Sequence, residues 1–175
     1  MCASREHLPG DGGDAASPGD ARLPGSAAAG PPTDRLQLIS FGLGREWYAL
    51  ETRHVRAIEP ETAITPVPLA PAWLAGVFNL RGNVLPAVDP RPLLGIPPDT
   101  RGGGLLMVFE WGGHPAAFRV DVVDEIYEIP TSSLEPQLST MDASRQQLLL
   151  GQVRVRDRLI GVLDLAALMR PLVEE

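Results

Sequence analysis

This chain carries one pattern of residues twice. Laying residues 41–58 over residues 109–126, a constant offset of 68, puts Phe41 on Phe109, Val55 on Val123 and Ile58 on Ile126. A second block matches at an offset of 75: Gly76 on Gly151, Arg81 on Arg156, Asp89 on Asp164 and Leu93 on Leu168. Each copy reads as an aromatic strand, a polar turn, a second strand and an apolar pair. Then come Gly-x-x-x-x-Arg, an apolar strand ending in Asp, and a short helix. A period near 70 is too long for a solenoid unit and short for an independent domain. Two small, similar subdomains packed into one body satisfy it, and the seam between them is a natural binding place.

The 175 residues suffice for one domain of about 140 residues plus an extension. A body of that size buries roughly 68–70% of its unfolded surface and needs no covalent staple. The single cysteine, Cys2, has no internal disulfide partner, and the sequence holds no Cys/His cluster for zinc. Net charge is −7, and all 15 basic residues are arginine. An acidic chain without a basic run is a poor ligand for nucleic acid, whose capture rests on neutralising phosphate. No apolar run is long enough to span a membrane. Arg5, Glu6, Asp11 and Asp14 stand where a secretory leader needs a basic start and an apolar centre. A soluble, cytoplasmic protein is expected.

Residues 1–34 are rich in Gly, Pro, Ala, Ser and Asp. Two arginines there (Arg5, Arg22) face five acids (Glu6, Asp11, Asp14, Asp20, Asp34), and large apolar residues are nearly absent. Such a stretch cannot repay its ordering entropy, and a disordered tail is expected. From residue 36 the pattern is β. Residues 36–43 and 47–50 flank the turn Gly44-Arg45 as a hairpin. Residues 52–55 can make one helical turn, and a third strand over 55–58 stops at Pro60. Pro66, Pro68 and Pro71 exclude helix and central strand from the next segment. Strands over 75–80 and 84–89 join across Arg81-Gly82-Asn83, and 90–94 is a short helix. Residues 95–103 link the halves. The second half predicts strands over 105–110, 114–120, 122–129, 150–155 and 158–164, with a terminal helix over 165–172. Residues 141–149 could be helical. Pro86 and Gly161 occupy matching strand positions, and both residue types mark bends or edges. The fold class is therefore all-β with short helices: two small five-stranded barrels side by side.

Chemistry finds little purchase here. His7, His54 and His114 lack both nucleophile neighbours and metal-ligand spacing, and surface positions explain them. The acid pairs Asp124-Glu125 and Glu59/Glu61 read as solvent-facing. Asp89 and Asp164 each precede a short helix and suit capping better than paired-carboxylate catalysis.

The densest signal is residues 73–89, WLAGVFNLRGNVLPAVD. With Pro66, Pro68 and Pro71 leading in, Gly76, Asn79, Leu80, Arg81, Gly82, Pro86, Asp89 and Arg91 make it resemble the CheW-like domain, the adaptor fold of bacterial chemosensory arrays. The opening Phe41-Gly42-Leu43-Gly44, then Tyr48-Ala49-Leu50, extends the resemblance, as do Val120-Asp121 and the block from Gly151 to Asp164. It covers residues 36–172. It implies two five-stranded SH3-like barrels and a non-enzymatic role without cofactor. The implied partners are the cytoplasmic tip of a methyl-accepting chemoreceptor and the regulatory domain of a CheA-type histidine kinase. It places receptor contact in the groove between barrels, at Val55, Ala57, Gly76, Asn79, Leu80, Arg81 and Gly82. Kinase contact falls on exposed apolar barrel ends, at residues the sequence does not specify. Three positions depart from the pattern: Ala57 where an acid is common, Ala117 where glycine is common, and Arg119 where an apolar residue is common.

Arg81 has two readings. An exposed arginine at a hairpin tip suits an interface anchor. Arg156 holds the same place in the second half, which suits a role in the hairpin itself, pairing with a local acid. Asn79 and Gly82 become Arg154 and Asp157 there, so only the first half carries the full motif. For Trp47, Trp73 and Trp111, partial core burial competes with partner contact. Two alternatives stand beside the chemosensory adaptor. One is a paralogue serving another kinase pathway or competing for array positions. The other is a small-molecule enzyme in the inter-barrel groove, which would need three or more perturbed titratable groups buried there.

Overall fold

The computed structural model describes residues 34–99, 102 and 104–173. Apart from Asp34, the tail expected at 1–34 lies outside them. The first repeat forms β1 (Arg35–Leu43), β2 (Glu46–Glu51), a 3₁₀ turn (Thr52–His54), β3 (Val55–Pro60), β4 (Leu74–Leu80), β5 (Asn83–Val88) and α1 (Arg91–Leu94). The second forms β6 (Leu105–Trp111), β7 (His114–Val120), β8 (Val122–Pro130), a 3₁₀ turn (Thr131–Ser133) and α2 (Ala143–Gln146). It ends with β9 (Leu149–Val155), β10 (Arg158–Leu163) and α3 (Leu165–Val173). The helical reading of 141–149 shrinks to the single turn α2, because Leu149 already pairs in β9.

The strands make two five-stranded sheets, ordered β8-β1-β2-β10-β9 and β3-β6-β7-β5-β4. Under the repeat these orders are identical. Each sheet takes its first hairpin from one repeat and its last three strands from the other. The linker over 95–103 therefore joins repeats in sequence without separating the sheets in space. The irregularities recur too. The β1/β8 ladder slips between Ile39 and Phe41, and the β3/β6 ladder slips at the matching place, between Val55 and Ala57. The β4/β5 slip between Leu74 and Gly76 is matched in β9/β10 beside Leu149 and Gly151. Such bulges bend strands and raise their twist, which lets five strands wrap a small core.

Three apolar clusters follow. Leu38, Ala49, Ile129, Val153, Ile160 and Val162 come from all five strands of one sheet and lie on its concave side. Phe78, Leu85, Ala87, Leu106, Val108 and Ala117 do the same in the other, with Ala57 of β3 packed against them. Ile39, Phe41, Tyr48, Leu50, Met107, Phe109 and Phe118 join Leu165, Leu168 and Met169 of α3 in a cluster between the sheets. Phe109 and Phe118 lie with ring centroids 4.3 Å apart at its centre. β1, β2, β6 and β7 feed one cluster on each face, which is why their middles are buried on both sides. β3 alternates, packing Val55 on the central cluster and Ala57 on that of its own sheet, whereas β8 leaves residues 124–126 exposed.

Pro86 and Gly161 have different reasons for the same position. Pro86 sits one residue before the parallel β5/β7 pairing begins at Ala87, so its missing donor is not needed there. A Cβ on Gly161 would stand 3.2 Å from the Tyr48 ring, so glycine lets β10 run close beside it. Asp89 and Asp164 do cap: Asp89 Oδ1 accepts from the Arg91 N–H at 3.0 Å, and Asp164 Oδ1 from the Ala167 N–H at 3.1 Å.

All four acids read as solvent-facing are ion-paired; Asp124 and Glu125 are exposed as expected, whereas Glu59 and Glu61 are partly buried. Glu59 meets Arg81, Glu61 meets Arg119, Asp124 meets Arg158 and Glu125 meets Arg156. Each strand that carries them lies against arginine-bearing turns or strands distant in sequence, which periodicity along one strand cannot reveal. Arg119, the basic residue in an apolar slot, reaches both oxygens of Glu61 at 3.0 Å. That contact raises its already high pKa further.

Candidate functional site

The motif's geometry is built by the β4/β5 hairpin. Arg81 (φ 51°) and Gly82 (φ 89°) both adopt left-handed backbone, as the mirror-image turns that suit twisted hairpins require. Asn79 Oδ1 accepts from the Gly82 N–H at 2.8 Å and locks the turn. Arg81 then crosses to β3, where its Nη2 donates to Glu59 Oε1 at 3.1 Å. Its side chain stays 81% exposed, so the guanidinium is oriented without being consumed. Arg156 makes the equivalent bridge to Glu125 on β8. Glu125 is the repeat counterpart of Ala57; in the first half the acid has moved two residues along the same strand face, to Glu59.

The other candidate residues divide. Val55 opens β3 opposite Phe109 and packs half-buried on the central cluster. Ala57 and Leu80 are half-buried against the cluster inside the second sheet. Gly76 is buried, and at φ +148° a Cβ would stand 2.2 Å from the Thr65 carbonyl oxygen. That contact exists because Thr65 pairs with Val77, exchanging backbone hydrogen bonds of 2.8 and 2.9 Å. Gly151 and Glu135 repeat the arrangement in the other half. Thus Asn79, Arg81 and Gly82 present themselves at the surface, Val55, Ala57 and Leu80 support them, and Gly76 lets the proline-rich segment pass. Glu59 is the residue sequence reasoning missed. Its signal was available as an acid on the same strand face as the expected one.

Arg91, matched only as part of the motif, is a buried strut. It donates to Asp89 Oδ1 at 3.0 Å and pairs with Asp121, whose other oxygen accepts from the Gly44 N–H at 2.6 Å. One guanidinium so ties the β5–α1 corner to the β7–β8 corner and the β1/β2 turn.

Two clefts occupy repeat-equivalent places, where β5 runs parallel to β7 and β10 parallel to β2. The first, about 490 Å³, is lined by Val84, Leu85, Pro86, His114, Pro115, Ala116 and Met169. The second, about 390 Å³, includes Glu46, Trp47, Tyr48, Arg145, Arg158 and Leu159. Val84 and Leu159 are counterparts, exposed 68% and 36%. In the second cleft Tyr48 donates to Glu46 at 2.5 Å, and Arg145 of α2 reaches both groups. Arg158 lies 4.0 Å over the Trp47 ring. Burial pushes the Tyr48 hydroxyl above its ordinary range and pushes Arg145 down. Burial keeps the Tyr48 phenol neutral and protonated, the opposite of an activated nucleophile. Among the described residues, no group of three or more His, Cys, Asp or Glu could hold a metal ion. No helix among them is long and apolar enough to cross a membrane.

Interleaved five-stranded sheets, an ordered arginine turn on a half-buried strand and apolar patches at equivalent ends define a β-rich protein-interaction module. The family model described as the CheW-like domain matches residues 37–172, and the chain belongs to that family. It is 29% identical over 133 residues to a probable chemotaxis protein CheW of Rhizobium etli, covering 75% of this chain and 86% of that one. It is 30% identical over 140 residues to the chemotaxis protein CheW of Helicobacter pylori, covering 77% and 82%. It is also 27% identical over 118 residues to the protein PilI of Pseudomonas aeruginosa, covering 65% and 64%. Among solved structures it is similar to the scaffolding protein TtCheW from Thermoanaerobacter tengcongensis, with a TM-score of 0.67 and 27% identity over 74% of this chain and 84% of that one.

Proposed function

We propose that this chain is a non-enzymatic, cytoplasmic chemosensory adaptor. It couples the cytoplasmic tip of a methyl-accepting chemoreceptor to the regulatory domain of a CheA-type histidine kinase. The carrying observation is the Asn79–Gly82 turn, whose exposed Arg81 is aimed by Glu59 on the strand that holds Val55 and Ala57. The receptor tip contacts Asn79, Arg81 and Gly82, with Val55, Ala57, Gly76 and Leu80 shaping the surface beneath. Kinase barrels dock at the exposed apolar positions Val84 and Leu159, which the repeat puts at equivalent ends. Bridging needs no bond chemistry: each partner is held, and geometry couples one to the other.

Co-sedimentation with receptor and kinase, with autophosphorylation read alongside, tests the reading. The wild-type chain is expected to bring kinase into the receptor pellet. Arg81→Ala is expected to weaken receptor capture about 30-fold, the equivalent of roughly 2 kcal/mol for an interface anchor. Kinase capture stays unchanged. A second reading, an adaptor for another kinase pathway, is favoured by Ala57 in place of the acid. Kinase capture without receptor capture would select it.

A further inference from the structure

Among the described residues, three non-glycine positions have positive φ: Arg81, Arg156 and Leu69. The arginines sit at hairpin turns that demand it. Leu69, at φ 62°, is the third residue of the Val67–Ala70 turn, a position that favours glycine or asparagine, and left-handed backbone is costly for any residue with a Cβ. Its side chain is 105% exposed, the most exposed of the large apolar residues described. The position thus combines backbone strain with a fully wetted isobutyl group and gains no packing inside the molecule. Strain held in place by its surroundings points outward, to a function.

The surroundings do hold it. Pro66, Pro68 and Pro71 fix backbone angles on both sides. The Ala70 N–H donates to the Val67 carbonyl at 3.2 Å, and the Leu74 N–H to the Pro71 carbonyl at 2.9 Å. The loop's base is stitched to β4 by the Thr65–Val77 pair. Thr65 runs antiparallel to β4, so the loop projects from the end where β4 begins. Arg81 stands at the other end. Seven residues of strand separate the two ends, roughly 20 Å at 3.3 Å per residue. That span is about four turns of α-helix.

We infer that Leu69 is a preorganised apolar anchor for the receptor's helical tip, which lies along β4 with Arg81 at one end and Leu69 at the other. The inference rests on the receptor-coupling reading above. A single leucine on a stiff loop fits the hole between side chains of successive helix turns. A loop already rigid loses little entropy on binding. The two clefts lie at other strands, β5 with β7 and β10 with β2, so they do not compete for this anchor.

The test uses the full chain, a coiled-coil hairpin carrying a chemoreceptor tip, and a kinase regulatory domain. Leu69→Asn suits left-handed backbone and removes the apolar group. It is expected to keep or raise the melting temperature, to weaken tip binding about tenfold or more, and to leave kinase binding unchanged. Leu69→Met, which keeps an apolar side chain, is expected to bind the tip within about threefold of wild type. Unchanged tip binding by Leu69→Asn overturns the inference alone, provided Arg81→Ala weakens it. A parallel loss of kinase binding also overturns it, since that marks general damage. A wild-type chain that fails to bind the tip overturns this inference together with the receptor reading.

Discussion

Arg81 and Arg91 belong to one motif and do opposite work. Arg81 is tethered at the surface by a single half-buried carboxylate, an arrangement worth about 1 kcal/mol or less. Arg91, 2% exposed, neutralises two partly buried carboxylates. Removing a buried partner strands the remaining charges, at a cost of about 3–5 kcal/mol. Arg91→Ala is therefore expected to lower the denaturation midpoint sharply, and Arg81→Ala to leave it nearly unchanged, both read by urea titration. Tyr48 sets the alkaline limit. Burial raises its folded-state pKa above the ordinary 10.0, so the fold favours the neutral phenol. That contribution is complete below about pH 10 and declines as pH rises beyond the unfolded-state value. Melting temperatures from about pH 9 to 11 should fall for wild type and fall less steeply for Tyr48→Phe.

Among the elements, those legible in sequence were the ones whose signals are local. The β1/β2, β4/β5 and β6/β7 hairpins carried turn residues between apolar runs. The run from Leu38 to Leu43 could be read as strand although it does not alternate, because both its faces feed cores. The Asn79-Leu80-Arg81-Gly82 turn was legible as a site because its residue types dictate its geometry. Glu59 was not, because its importance comes from Arg81, 22 residues away in sequence and bonded across space. Residues 131–147 resisted reading for a related reason: what holds them is polar, and their tie to β2 through Arg145 is distant in sequence. Gln137 donates to the Leu149 carbonyl at 2.6 Å, Gln146 to the Met141 carbonyl at 2.8 Å, and Arg145 reaches Glu46 and Tyr48 on β2. With so little apolar burial, this segment should open as a unit. Arg145→Ala is expected to speed amide exchange over residues 138–148 about tenfold or more while leaving β1 and β6 protected. Uniform acceleration across the sheets would contradict that.

For the whole molecule, the duplication was legible and its wiring was not. Offsets of 68 and 75 identify two copies of one unit, but residue periodicity says nothing about which strands pair. The sheets answer that β1 and β2 pair with β8 and β10, and β6 and β7 with β3 and β5. A repeat alone would thus hold two hairpins and a lone strand (β1/β2, β4/β5 and β3 in the first), while the β1–β8, β2–β10, β3–β6 and β5–β7 ladders all need the other repeat. Its apolar faces would stay in water, and a fragment of about 65 residues has little stability to spare. Residues 34–99 and 104–173, made separately, should each lack the native circular dichroism and cooperative melting of the full chain. Mixed, they should recover both, since every ladder between the repeats re-forms only when the copies meet. Native-like folding of either fragment by itself would mean that the two hairpins and the lone strand of a repeat can find each other as partners. The interleaving would then be one of two available arrangements, and an adaptor whose ends could re-pair independently would not transmit geometry from one partner to the other.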